Sequence, residues 1–178
     1  MRRTLTLASC ATLLALTGCA STAKPAAVAT PAAPAAATAT TAPAKATTPL
    51  TATTAMTQLA AKITTAKLTN VVTENNDGNN LIGRPHEYTS KVQFKDTRVN
   101  PADTTGLDKG DIQFGGSIEV FATPEDATAR AKYIQAVTAS LPAAAEYDYV
   151  QGDVLVRVSH LLKPSQAKEY EAATRQLG

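Results

Sequence analysis

The stretch DIQFGGSIEVFATPEDATARAKYIQAVTASL, residues 111–141, decides the fold, because one hydrophobic period gives way to another within it. Ile112, Phe114, Ile118, Val120 and Ala122 share one face of an extended segment, and Gly115-Gly116 marks a bulge or bend in it. Thr123-Pro124-Glu125-Asp126 reads as a helix start. Thr123 caps, Pro124 fits the first helical position where its missing N–H costs nothing, and Glu125 with Asp126 complements the positive helix end. Ala127, Ala131, Ile134, Val137 and Leu141 then continue one helical stripe until Pro142 stops it. The stretch predicts a strand running directly into an amphipathic helix.

Outward from it the same two patterns recur. Over residues 88–95, Tyr88, Ser90, Val92 and Phe94 alternate with Thr89, Lys91, Gln93 and Lys95, which predicts a strand with one wet face. Residues 147–159 hold two short strand patterns around Gln151-Gly152-Asp153, a hairpin with Val154, Val156 and Val158 on one face. Pro164 opens a last helix carrying Ala167, Tyr170, Thr174 and Leu177, and Met56, Leu59, Ile63 and Ala66 place a first helix over 54–68. The order αββαββα predicts an α+β domain: an antiparallel sheet of about four strands with helices packed on one face.

That domain occupies residues 56–178. Before it, 19–55 is almost wholly Ala, Thr and Pro, a composition that cannot bury enough side chain to offset its ordering entropy. It reads as a disordered tether, reaching about 30 to 36 Å root-mean-square if flexible, and its Thr and Pro content is also that of a glycosylated stalk. Residues 1–18 have the parts of a signal peptide: Arg2 and Arg3, then Leu5, Leu7, Leu13, Leu14 and Leu16 in an apolar run. The run is well short of the roughly 20 residues of a spanning helix.

Leu16-Thr17-Gly18-Cys19 resembles the lipobox of bacterial lipoproteins. The resemblance implies cleavage behind Gly18, a diacylglyceryl group on Cys19, and a domain held at the outer face of the cytoplasmic membrane. Two or three acyl chains at one point anchor stably where one binds only marginally. Leu7-Ala8-Ser9-Cys10 matches the same pattern with a shorter apolar run before it, and Arg2-Arg3 is a partial match to a twin-arginine signal.

The net charge of +2 dissolves on inspection. Arg2, Arg3, Lys24 and Lys45 belong to the signal and tether, leaving 13 basic against 15 acidic side chains from residue 56 onward. No basic field remains for nucleic acid or an anionic membrane. Cys10 and Cys19 are the two cysteines, so the domain has no thiol chemistry, disulfide or Cys-ligated zinc. Trp is absent, which lowers the capacity for stacking on bases or sugars.

The chemistry-bearing residues form no complete set. Residues 74–80 have the composition of a calcium loop, but with Gly78 at the sixth position Thr73 stands at the first and Arg84 where a bidentate Glu belongs, so a solvated turn is expected. His86 and His160 have Ser90, Ser117 and Ser159 near them in sequence, without a nucleophile elbow or a zincin spacing. Glu119, Glu146, Asp148 and Asp153 fall on or beside strands and are candidates for paired-carboxylate hydrolysis. Tyr147 and Tyr149, with Tyr88 nearby, could grip a ligand or pack the core. No cofactor motif, catalytic set or metal set is expected.

Asn80-Leu81-Ile82-Gly83-Arg84-Pro85, Tyr88-Thr89-Ser90-Lys91-Val92, Gly116-Ser117-Ile118-Glu119-Val120-Phe121, Tyr147-Asp148-Tyr149-Val150-Gln151-Gly152 and Leu155-Val156-Arg157-Val158 are similar to small secreted lipoproteins of actinomycetes. The resemblance implies an exported location and the same domain boundary, and brings no catalytic residue. Three functions follow as expectations: a non-enzymatic lipoprotein whose domain binds an envelope protein through an exposed apolar patch; a carrier of a small or lipidic ligand in a cleft between sheet and helices; and an acidic-pair hydrolase.

Overall fold

The computed structural model describes residues 49–178. The expected signal peptide, Cys19 and the tether up to residue 48 lie outside the described residues. Three helices, α1 (Ala52–Lys62), α2 (Pro124–Thr138) and α3 (Pro164–Thr174), accompany five strands: β1 (Ala66–Val72), β2 (Ser90–Asp96), β3 (Gly115–Val120), β4 (Glu146–Gln151) and β5 (Val154–Ser159). The strands make one antiparallel sheet in the order β1-β2-β3-β5-β4. The domain is α+β, as expected, with five strands rather than four.

The added strand comes out of the first expected helix. Thr51 caps α1 by accepting from the Thr54 N–H, and Ala52, Ala55, Met56 and Leu59 are its buried stripe. The helix stops at Lys62, where the Ile63 N–H closes the last turn on the Leu59 carbonyl, and the chain re-emerges as β1. A register shift between Leu68 and Asn70 breaks the strand's period of two, and Leu68 and Val71 are exposed on the sheet edge. No alternation was there to read.

The glycine pair does not interrupt its strand. Residues 112–114 form a 3-10 turn capped by Asp111, and the β2–β3 ladder runs unbroken from Ser90 opposite Val120 to Lys95 opposite Gly115. A Cβ on Gly116 would lie 2.1 Å from the Arg157 carbonyl oxygen and 2.5 Å from the Phe94 ring. Glycine stands there because two strands and a stacked ring leave no room.

Helices cover both faces of the sheet, not one. α1 and α3 close over Val92, Phe94, Ile118, Val120, Val154, Val156 and Val158, and the Phe94 ring stacks on Tyr170 at 5.6 Å. α2 instead lies on the opposite face, where Ala127, Ala131 and Ile134 meet Tyr88, Phe121 and Leu155. The topology explains this. β3 and β4 are parallel and separated by β5, so the chain crosses the sheet to reach β4, and α2 is that crossover. The face expected to be wet is thus partly roofed over.

Candidate functional site

The roof creates an electrostatic problem, because the strands beneath it carry charges. Register places Lys91, Glu119 and Leu155 in one cross-strand row and Gln93, Ser117, Arg157 and Asp148 in the next, all pointing towards α2. Glu119 is fully buried and holds three cations: Lys91 Nζ at 2.9 Å and Arg157 at 3.2 Å on Oε1, and Arg130 Nε from α2 at 3.3 Å on Oε2. Burial pushes the Glu119 carboxyl up, but the charges of Lys91, Arg157 and Arg130 win and hold it below the usual range. Arg157 Nε and its second terminal nitrogen also donate to Glu146, at 2.7 and 2.9 Å, a bidentate pair.

Asp148 has no such partner. It lies directly across the ladder from Arg157, yet neither carboxylate oxygen makes a hydrogen bond among the described residues. Burial, reinforced by the charge of Glu146, pushes its carboxyl up to about 7, against the opposing charge of Arg157. The Ser117 hydroxyl, wholly buried between Gln93 and Arg157 in register, is likewise without a partner.

Over β1 and β2 the roof is open. α2 packs on β4 and β5, and beside it lies a cleft of about 410 Å³ whose deep end reaches Lys91, Gln93, Glu146 and Arg157. The turn at Asn76–Asn79, the loop at Leu107–Gln113 and the segment at Ala143–Ala144 form its rim. Gly110 secures that loop: its carbonyl accepts from Gln93 Nε2 at 2.7 Å, and its positive φ of 93° with the Gln93 side chain against it excludes a Cβ.

The expected solvated turn at 74–80 is partly buried at Asp77. Burial acts to raise this carboxyl, but N–H groups of Ile82, Leu81 and Asn79 and the Tyr88 hydroxyl hold it below the usual range. Tyr88 lies outside β2 and sits edge-on to Phe121 in the α2 core, away from Tyr147 and Tyr149, which pack towards α3. The tyrosines make no common grip.

The other candidate residues are dispersed. His86 is exposed in a turn at φ 65° with Nδ1 2.9 Å from Asp126 Oδ1, and His160 Nδ1 lies 2.8 Å from the Ala145 carbonyl oxygen. The Ser90 hydroxyl accepts from the Ala52 N–H and the Ser159 hydroxyl donates to Gln113, so neither pairs with a histidine. Of the four carboxylates, Glu119, Glu146 and Asp148 converge and Asp153 stands apart at the hairpin turn. Glu119 and Glu146 converge on Arg157 rather than across an open gap. The composition of each strand was visible in the sequence; the convergence depends on the strand order, which was not.

The α2 surface differs from expectation as well. Ala127, Ala131 and Ile134 are buried, but Val137 (46% exposed) is not, and with Tyr133 (61%) it forms an apolar pair one turn apart on α2; the helix ends at Thr138, short of the expected Leu141, which lies exposed (52%) in non-helical backbone beyond it. Among the described residues no helix is long and apolar enough to cross a membrane, and no group of three or more His, Cys, Asp or Glu side chains could hold a metal ion. No protein-family model, curated protein or solved structure matches this chain.

Proposed function

We propose that the chain is a lipid-anchored extracytoplasmic lipoprotein whose domain acts without catalysis, docking an envelope protein on the outer face of α2. The observation that carries this reading is the exposed apolar pair Tyr133 and Val137 on α2, with Leu141 exposed just beyond the helix end. A monomer's exposed apolar residues are ordinarily scattered singly, whereas Tyr133 and Val137 adjoin at i and i+4 on one helix face of the kind that meets a partner. The lipobox at Leu16–Cys19 and the Ala/Thr/Pro tether supply the location and the reach.

A photo-crosslinking residue at Val137 in the full chain, irradiated in living cells, tests the docking face. A discrete protein adduct that disappears with Tyr133→Lys, while thermal unfolding is unchanged, is the expected result. No adduct, or one indifferent to Tyr133→Lys, removes the reading.

A second reading, a carrier of a small ligand, is favoured by the cleft beside α2. Its volume of about 410 Å³ lies in the range typical of small-molecule sites, and its floor is polar while much of its rim is not.

A further inference from the structure

We infer that the outer edge of β4 is a self-pairing surface, to which a second copy of this chain adds its own β4 antiparallel, joining the two sheets into one. This edge is separate from the α2 face proposed to dock an envelope protein.

The two edges of the sheet are unlike. β1 is guarded: its register shifts between Leu68 and Asn70, and the Asn76 side chain donates to the Val71 carbonyl at 3.2 Å and accepts from the Thr73 N–H at 2.7 Å. β4 carries none of these devices. Its ladder with β5 runs without a shift from Glu146 opposite Ser159 to Gln151 opposite Val154, and it holds no proline, lysine or arginine. The phase of that ladder is fixed at the hairpin. The Asp153 carbonyl accepts from the Phe121 N–H on the β3 side, so Val154, Val156 and Val158 bond the other way, to Gln151, Tyr149 and Tyr147. Glu146, Asp148 and Val150 therefore turn their N–H and C=O groups outward, and these have no partner among the described residues. Such a row is a template for another strand.

Charge selects how a second copy fits it. A two-fold axis on Tyr147 sets Glu146 against Asp148, and one on Asp148 sets that carboxyl against itself. An axis on Tyr149 sets Asp148 opposite Val150, Tyr147 opposite Gln151 and Tyr149 opposite its own copy, with no like charges across the seam. In that register Asp148 and Val150, both outward, exchange the new hydrogen bonds. The chain's own tether is a poor strand for this edge, being almost wholly Ala, Thr and Pro over residues 20–48. A stable dimer buries about 800 Å² of each copy, more than one strand edge supplies. α2 and α3 both pack over β4 and β5, so a seam of about 4.8 Å sets each helix about 10 Å from its symmetry mate, the spacing at which helices pack. The proposed lipid anchor confines the copies to one surface and raises their effective concentration.

The test uses the full lipidated chain in living cells, where the proposed location is oxidising and the domain itself holds no cysteine. Tyr149→Cys sets two thiols across a non-hydrogen-bonded antiparallel pair, whose Cα separation of about 4.5 Å a disulfide spans. The expected result is a reducible band at twice the chain mass, at least about tenfold stronger than from Leu68→Cys on the guarded edge. Val150→Pro deletes only an outward N–H, so adding it removes the band while thermal unfolding is unchanged. Equal bands from both edges, an adduct to a different protein, no band from a cooperatively unfolding Tyr149→Cys chain, or a band that survives Val150→Pro overturns the inference. Where Tyr149→Cys does not fold, sedimentation of the full chain carrying Cys19→Ser decides: a dimer at about 100 µM that Val150→Pro turns into a monomer is expected. A single-chain mass without Val150→Pro, or a dimer with it, overturns the inference.

Discussion

Asp148 is the residue whose environment most contradicts its chemistry. A carboxylate placed under a helix, beside Glu146 and without a hydrogen bond, ionises against burial first and against like charge second. Its folded pKa, about 7, stands above the 3.8 of an ordinary aspartate, so the native state holds a proton that the unfolded chain has lost. The stability this represents is fully present below the unfolded value and is lost as pH rises through about 7. Asp148→Asn removes the group that titrates while keeping its shape. Denaturant midpoints of the variant are expected to be nearly level between about pH 4 and pH 8 in this contribution, and at pH 8 the variant is more stable than the parent by about 1 to 2 kcal/mol, a figure reduced for the partial exposure of the site. A variant no more stable than the parent at the upper pH would show that Arg157 neutralises the carboxylate in place. Glu119 shows the contrast: equally acidic by nature and more deeply buried, it stays ionised because three cations surround it.

At the scale of the element, β3 is the strand on which the rest depends. It is buried along its whole length, pairs on both sides, and leads into the crossover helix. Gly116 permits this by letting the Arg157 backbone and the Phe94 ring approach where any side chain would stand. Gly116→Ala is therefore expected to destabilise the domain by about 3 kcal/mol or more through forced separation of β3 from β5, read as a fall in the urea midpoint. The same element shows how far the sequence could be read. Thr123-Pro124-Glu125-Asp126 announced α2 to the residue because capping is local: Thr123 accepts from the Asp126 N–H, and Pro124 opens the helix. The hairpin of β4 and β5 and the α3 stripe were legible for the same reason. β1 was not, since a bulged edge strand has no clean period and its Ala66 continued the spacing of the helix before it. Nor was the side on which α2 lies. Whether a polar strand face meets water or a helix depends on strand order, and Lys91, Glu119, Arg157 and Asp148 come together only because β5 inserts between β3 and β4.

For the whole molecule, the question is how a small domain with two dissimilar faces is presented. The face under α1 and α3 is an apolar core, whereas the face under α2 combines a small core, a buried charge cluster and an open cleft, and α2 itself exposes Tyr133 and Val137. Both functional readings therefore fall on the α2 side, away from α1, where the described chain begins. The tether is proposed to end in lipid. Its anchoring residue is decided by a paired substitution. Acylation at Cys19 requires the Leu16-Thr17-Gly18 sequence before it and gives a mature chain that begins at the tether. Acylation at Cys10 would leave eight further residues of the signal's apolar run on the mature protein, between Cys10 and Cys19. Cys19→Ser is thus expected to move the protein from the membrane pellet to the soluble exported fraction, or to leave it as an uncleaved precursor of higher mass, while Cys10→Ser changes neither its fractionation nor its mature mass. Two or more acyl chains bind a membrane tightly enough that partial release is not expected, so the fractionation should be close to all or none. Membrane retention of Cys19→Ser with release of Cys10→Ser would shift the anchor to Cys10, and retention of both would remove lipid at these cysteines as the means by which the domain is held.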